Sequence, residues 1–550
     1  MFFLLACLCA QPQDSSEAWP EGLDLGDEVA CQDPVDGFDR LSLRPGALEQ
    51  ALTNEGETDP CGNPPGALVA QDLDGDGDPE VLLLEPDGLH TIWDDREGQL
   101  HPVPVALATE RKAYTLAAGD LDGDGLPELI VGGADLLLVA RNQGGLRFSD
   151  WEVVLDEPAW PRSCALSFGF GDVDGDGDLD LSVANADFVP DEDHVSTGNL
   201  DDPGAMAGSA DRLYLNEDGV LSLHRELDSD PPRMSLLHAW TDRDQDGDLD
   251  LLATTDRYLA GRIGLGTSYR NDGSGEDGPL IFEDGAAIGF QPAWSVMGLI
   301  SWDPNEDGWL DHCFTDIQYD LPCIQADGAG GFYELDLGLH AAIDEHPQVP
   351  EDWYEPEDRI WREYAPWSAE LLDVDADGYE DVFVVAGPPP ELGNALYSPI
   401  SPFQPDWLWQ GSADGLQSRG LESDWSDPAI RYALVQADLD GDGFRELIKS
   451  GDEGSPQVFD NPCGAGSWVE VEVLNAAGGP AYGAQVRVLS GQRSWMREVQ
   501  GPRVMGQSVA PVHVGLGSVD EIGLVVSWPD GTSIGAEGLP VNRRIVARPP

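Results

Sequence analysis

Positive charge is what this chain has least of: lysine occurs only at Lys112 and Lys449 among 550 residues, and lysine and arginine together number 28. Against 104 acidic residues they leave a net charge of −76, which argues against nucleic acid or an anionic membrane as the main partner and favours cations and basic surfaces. A GC-rich genome and adaptation to high salt both fit so few lysines. A run of about 20 continuous apolar residues is also missing, so no segment reads as a transmembrane helix. The nine histidines include no HExxH pair and no nucleophile-elbow context, and none of the eight cysteines stands in a CxxC or Cys/His zinc spacing. These absences remove zinc-protease, α/β-hydrolase and zinc-module readings.

What is present is a nine-residue acidic loop, repeated seven times, with side-chain oxygens at positions one, three, five and nine and glycine at position six. Loop one carries Asp72, Asp74, Asp76 and Glu80, loop two Asp120, Asp122, Asp124 and Glu128, and loop three Asp172, Asp174, Asp176 and Asp180. Loop four carries Asp242, Asp244, Asp246 and Asp250, and loop five Asp303, Asn305, Asp307 and Asp311. Loop six carries Asp373, Asp375, Asp377 and Asp381, and loop seven Asp438, Asp440, Asp442 and Glu446. Of these 28 positions 27 are acidic, and 77 further acidic residues lie elsewhere, so the acidity is wider than the loops.

Alternate side chains of a tight loop converge, and a ring of hard oxygens suits calcium, which takes six to eight such ligands, better than magnesium, which keeps a tighter shell. Position seven holds Asp78, Leu126, Asp178, Asp248, Trp309, Tyr379 and Phe444, a freedom that fits a backbone carbonyl as the ligand there. An EF-hand needs a carboxylate at position twelve; here that position is Leu83, Val131, Val183, Ala253, Phe314, Val384 and Lys449. The expectation is therefore up to seven calcium ions bound in β-hairpins, with the position-nine carboxylate closing each cage.

Each loop is entered from one apolar stretch and left into another, and loop starts are separated by 48, 52, 70, 61, 70 and 65 residues. Four short strands in each repeat make the blade of a propeller. The fold class expected is all-β: a seven-bladed β-propeller with calcium loops in the blades, followed by a small C-terminal β domain. Little strand-like sequence remains between Glu446 and Asn461, so the segment Phe38 to Leu52 is expected to close the last blade. An open β-solenoid is the alternative arrangement.

The loops, and Phe168-Gly-Phe-Gly-Asp-Val-Asp-Gly-Asp-Gly-Asp-Leu-Asp180 above all, resemble the FG-GAP/VCBS repeats of integrin α-subunit propellers and exported bacterial proteins. That resemblance implies structural calcium and a scaffold. From Asn461 the acidic loops cease, and Gly483-Ala-Gln-Val-Arg-Val, His513-Val-Gly-Leu-Gly517, Val526-Ser-Trp-Pro-Asp-Gly531 and Asn542-Arg-Arg-Ile545 resemble the ASPIC/UnbV module of the cartilage acidic protein family. The division expected is 1–10 export or lipoprotein signal, 11–37 acidic linker, 38–460 propeller and 461–550 ASPIC/UnbV-like domain.

The apolar N-terminus reads as an export signal, and Leu4-Leu5-Ala6-Cys7 resembles a bacterial lipobox in which Cys7 would carry a lipid anchor. A secreted or cell-surface location follows, and six remaining cysteines fit disulfides there, with Cys31–Cys61 and Cys313–Cys323 as local pairs among fifteen connectivities. The function expected is a calcium-binding scaffold that meets an extracellular protein or glycan through its insertions or its C-terminal domain. Trp353, Tyr354, Trp361, Tyr364 and Trp367 are candidate contact residues or packing residues of one insertion. A carbohydrate-directed enzyme and an acidic calcium buffer at the cell surface are the alternatives. No catalytic residue is assigned; His513 reads as a packed strand-end residue.

Overall fold

A computed structural model describes residues 19–20, 22–31, 34, 42–43, 66–85, 88–93, 113–156, 164–186, 209–227, 235–255, 267–271, 280–290, 296–316, 321–339, 364–387, 404–420, 425, 430–451 and 456–550. Among them every regular element is a strand except one 3₁₀ turn at Gly285–Ile288. The strands form nine four-stranded sheets, and seven of these carry an acidic loop between a first and a second antiparallel strand.

The seven first strands are Ala67–Gln71, Ala113–Gly119, Cys164–Gly171, Ser235–Thr241, Val296–Trp302, Pro366–Leu372 and Ala433–Ala437. Each packs against the next, and Ala433–Ala437 packs back on Ala67–Gln71, so the described sheets form a closed, propeller-like ring. Strands covered on both faces lose the alternation of apolar and polar residues, and Ala67–Gln71, Ala113–Gly119, Cys164–Gly171 and Val296–Trp302 are buried throughout. Crowding at the ring's inner edge explains Phe168-Gly-Phe-Gly171: a Cβ on Gly169 would stand 2.7 Å from Ser182 Oγ and 3.0 Å from the Trp240 ring. The seventh sheet is completed from the other end of the chain, where Ser42 pairs with Asp460 and Leu43 with Phe459.

The C-terminal domain is a pair of sheets, Leu23–Leu25/Arg543–Ala547/Ser467–Val473/Val512–Gly517 and Arg493–Glu498/Gln485–Ser490/Glu521–Ser527/Ser533–Pro540. Alternating Val469, Val471, Val486, Val488, Leu524 and Val526 fill the space between them. Part of the expected linker is thus a strand of this domain, because Leu23, Asp24 and Leu25 pair with Ala547, Val546 and Ile545. That pairing carries Cys31 to the domain's first residues, where it is bonded to Cys463 and not to Cys61 as expected. Cys313 and Cys323, opposite each other on adjacent strands, are bonded as expected, and Cys164 is also in a disulfide. Residues 1–10, Cys61, Trp353, Tyr354 and Trp361 lie outside the described residues.

One segment of the C-terminal domain enters the ring. Glu498 Oε1 accepts from Thr241 Oγ1 (2.9 Å), Arg503 donates to Ala369 O (3.0 Å) and pairs with Glu370 (3.2 Å), and Gly506–Gln507 forms a parallel pair with Leu68 and Val69. Gln507 exchanges two bonds with the backbone of Ala118 (2.7 and 2.8 Å), while Ser508 binds Gln71, Glu370 and Gln436. Glu498 to Ser508 therefore bonds to first strands of five of the seven sheets.

Candidate functional site

The seven loops share one backbone scheme. The N–H of every position-six glycine donates to the position-one carboxylate, at 2.7 to 3.2 Å: Gly77, Gly125, Gly177, Gly247, Gly308, Gly378 and Gly443. The position-seven N–H donates to the position-five carboxylate in all seven as well. The position-nine carboxylate accepts the position-two N–H in loops one, two, three, six and seven, which ties the exit strand to the entry of the loop. These bonds aim the carboxylates inward.

The result is convergence. Carboxylate oxygens lie within 4.8 Å of one another in Asp72/Asp74/Glu80, Asp120/Asp122/Glu128, Asp172/Asp174/Asp180, Asp242/Asp244/Asp246 and Asp373/Asp375/Asp377. In loop five Asn305 Nδ2 faces Asp311 Oδ2 at 3.4 Å, so the one amide stands where a carboxylate does elsewhere. Two carboxylates about 4 Å apart repel by about 1 kcal/mol in water and about 4 kcal/mol at an effective dielectric of 20. Burial and this mutual repulsion push Glu128, Asp242, Asp250, Asp311 and Asp438 up to about 7 and Asp180 to about 8. Asp373, Asp381 and Glu446, fully enclosed, lie well above the carboxylate range for the same reasons. Hard oxygens, already oriented and in part desolvated, suit a hard divalent cation; in loop four the position-two residue Arg243 also pairs with Asp250 (3.1 Å).

Position four has a role that the sequence pattern hid. Gly75, Gly123, Gly175 and Gly441 have φ of 71 to 82° there, and Gln245, Glu306 and Ala376 take φ of 50 to 58° in the same place. Only a recurring glycine signals a left-handed residue from sequence; these three are visible only by alignment with the other loops. Their side chains are used: Gln245 donates to Gly308 O (2.9 Å) and Glu306 accepts from Arg493 (3.0 Å). Buried asparagines are the other missed device. Asn142 Nδ2 joins Leu73 O to Pro127 O, Asn216 Nδ2 joins Leu121 O to Leu179 O, and Asn271 Nδ2 reaches Val173 O, each linking a loop to the next sheet.

The C-terminal domain lies on the loop-bearing face. Arg493 stacks on Tyr379, the position-seven residue of loop six (4.3 Å), and Phe444, at position seven of loop seven, packs with Trp468. Those position-seven side chains thus serve domain packing. His513 is half-buried, stacked on Trp468 at 5.7 Å, and its Nε2 meets Gly443 O at 3.0 Å, which fixes its proton on that nitrogen. Tyr364 is wholly buried with its hydroxyl on Pro405 O, and Trp367 packs edge-on against Tyr432, so these two rings belong to the ring's interior. Between loops one, two and seven, Gly26–Val29 and the C-terminal domain lies a cavity of about 380 Å3, lined in part by Asp72, Asp120, Asp438, Trp468, Tyr482 and Arg544.

A family model described as FG-GAP-like repeat matches residues 72–131 and 120–183, and one described as ASPIC and UnbV matches 475–550. The chain joins FG-GAP-like repeats to a C-terminal ASPIC and UnbV domain. No match was found among curated proteins. Solved structures similar to it include an Agrocybe aegerita lectin described for recognition of non-reducing terminal N-acetylglucosamine, at 15% identity over 72% of this chain and 94% of that one, with a TM-score of 0.41. Another is BBS1N in complex with ARL6DN, at 12% identity over 78% and 97% with a TM-score of 0.42. Saccharomyces cerevisiae Sqt1 is similar at 11% identity over 73% and 97%, with a TM-score of 0.41. Among the described residues no helix is long and apolar enough to cross a membrane.

Proposed function

We propose that the ring is a seven-bladed propeller whose loops hold calcium, and that the molecule is an exported scaffold for binding or adhesion outside the cell. The observation that carries this reading is the shared hydrogen-bond scheme of the seven loops, which holds converging carboxylates together as a divalent hard cation would require. The loop carboxylates, together with the backbone carbonyl at position seven, are the ligands. In this reading calcium neutralises the carboxylates and stabilises the fold. The disulfides agree with an oxidising compartment.

The extracellular partner is a protein or glycan met through the insertions or the exposed side of the ASPIC/UnbV domain, since Glu498 to Ser508 already engages the first strands inside the ring. Calcium titration with thermal melting tests the scaffold. At a hundredfold excess over Kd each site adds about 2.7 kcal/mol, so several sites raise the melting point by many degrees. Superimposable melting curves in calcium and in chelator overturn the reading. Glycan and protein arrays probed with the calcium-loaded chain then test the binding role, and retention after deletion of the 340–363 insertion moves the contact elsewhere.

A further inference from the structure

Four of the seven loops are touched by the C-terminal domain at the same atom. Arg544 Nη1 donates to Gly77 O (2.9 Å), Arg487 Nη2 to Gly308 O (3.0 Å) and His513 Nε2 to Gly443 O (3.0 Å). Gly378 O receives two donors, Arg493 Nη2 (2.9 Å) and Trp495 Nε1 (3.0 Å). Every acceptor is the carbonyl of the position-six glycine. The N–H of that same peptide unit, at position seven, holds the position-five carboxylate: Asp76, Asp307, Asp377 and Asp442. A donor on the carbonyl therefore fixes and polarises the peptide that orients a ligand carboxylate.

Loop three is different. Nothing stands within 4 Å of where a Cβ on Gly175 or Gly177 would lie, and Asp174 and Asp176 are exposed. Resting on the calcium reading above, we infer that Arg487, Arg493, Trp495, His513 and Arg544 are positioning residues for the metal, so that calcium loading of loops one, five, six and seven and docking of the C-terminal domain form one coupled equilibrium. Linkage makes the effect reciprocal: docking raises calcium affinity in these loops, and loading tightens docking.

Charge alone works partly against this, because a guanidinium repels the cation. Loops one and six carry four carboxylates and loop five three, so each stays negative after one divalent ion binds and each arginine remains attracted to it. Without the ion, repulsion among the carboxylates, which lie within 4.8 Å of one another in loops one and six, works against the peptide geometry that keeps the glycine carbonyl on its donor. Trp495 carries no charge and adds only the favourable part. Chelation accordingly loosens the C-terminal domain and, with it, the segment Glu498 to Ser508.

Terbium, a calcium substitute excited through nearby indole, reads loop five through Trp309 at position seven, and the emission lost in Trp309→Phe defines that signal. In the full chain Arg487→Ala lowers terbium affinity at loop five about tenfold or more, as removal of a charge-assisted hydrogen bond should, and Arg487→Lys restores most of it. Equal affinity in the alanine variant overturns the inference. On the unaltered protein, hydrogen exchange across 498–508 is compared in calcium and in chelator, with bound calcium counted in the same samples. Exchange at least tenfold faster after chelation is expected. Unchanged exchange once bound calcium has fallen to zero overturns the coupling and leaves the calcium reading standing, whereas a native protein that binds no calcium removes both.

Discussion

Glycine at position six has a backbone reason: all seven have φ of 88 to 102°, the left-handed region that a side chain disfavours. The same residue type nevertheless sits in unlike surroundings. A Cβ on Gly125 would meet nothing within 4 Å, whereas on Gly443 it would lie 1.8 Å from Trp468 Cζ2. Gly125→Ala should therefore cost the left-handed strain alone, about 1–2 kcal/mol. Gly443→Ala should add an overpacking cost of about 1–3 kcal/mol against a buried ring. Thermal melting in saturating calcium separates them, and equal shifts for the two variants would show that Trp468 is not seated on loop seven. This contact was illegible in the sequence because 25 residues separate Gly443 from Trp468 and no local pattern links them.

At the level of the strand and loop, the repeat spacing and apolar flanks made the loop-to-sheet assignment legible, and they also placed the closing strand near Ser42–Leu43. The staples between sheets were not legible. Asn142, Asn216 and Asn271 stand in polar-looking strand ends, and nothing nearby in sequence announces a carbonyl some 70 to 100 residues earlier as the partner. Asn216→Ala leaves Leu121 O and Leu179 O without the Nδ2 donor and should cost about 1–3 kcal/mol. Hydrogen exchange that rises in loops two and three together is the expected signature; a change confined to the Asn216 strand would contradict a stapling role.

The loops also set the pH response. Glu128, Asp242, Asp250, Asp311 and Asp438 titrate near 7 and Asp180 near 8 when folded without metal, against about 4 in an unfolded chain. Between those values the folded protein holds more protons than the unfolded one, so metal-free stability falls as pH rises from about 4 to about 8. On the calcium reading the ion replaces those protons, and its stabilising effect should grow over the same interval. Melting in chelator at pH 5 and pH 8 checks the sign. A metal-free protein that melts higher at pH 8 would mean that the loop carboxylates are not held together as described.

For the whole molecule, the repeats pointed to the all-β class, while the pairing of the N-terminal segment with the C-terminal domain was not legible. Residues 461–550 contain seven arginines, no lysine and seven acidic residues, so the entire −76 resides before them and a neutral, arginine-bearing domain rests on an intensely acidic ring. The N-terminal segment looked like a solvated linker because it is acidic and short of apolar residues; only Leu23 and Leu25 hint at the strand that joins this domain. The Cys31–Cys463 bond, spanning 432 residues, then fixes that strand to the start of the domain. Closing so long a loop constrains the unfolded chain heavily, and loss of such a bond typically costs about 2–5 kcal/mol. Replacing both cysteines by serine should lower the melting point and speed exchange first at Leu23–Leu25 and along Arg543–Ala547, its pairing partner. Metal binding in loop three, where nothing stands within 4 Å of a Cβ on Gly175 or Gly177, should persist. Uniform loosening of all seven loops would instead mean that the junction of the chain ends holds the whole ring closed.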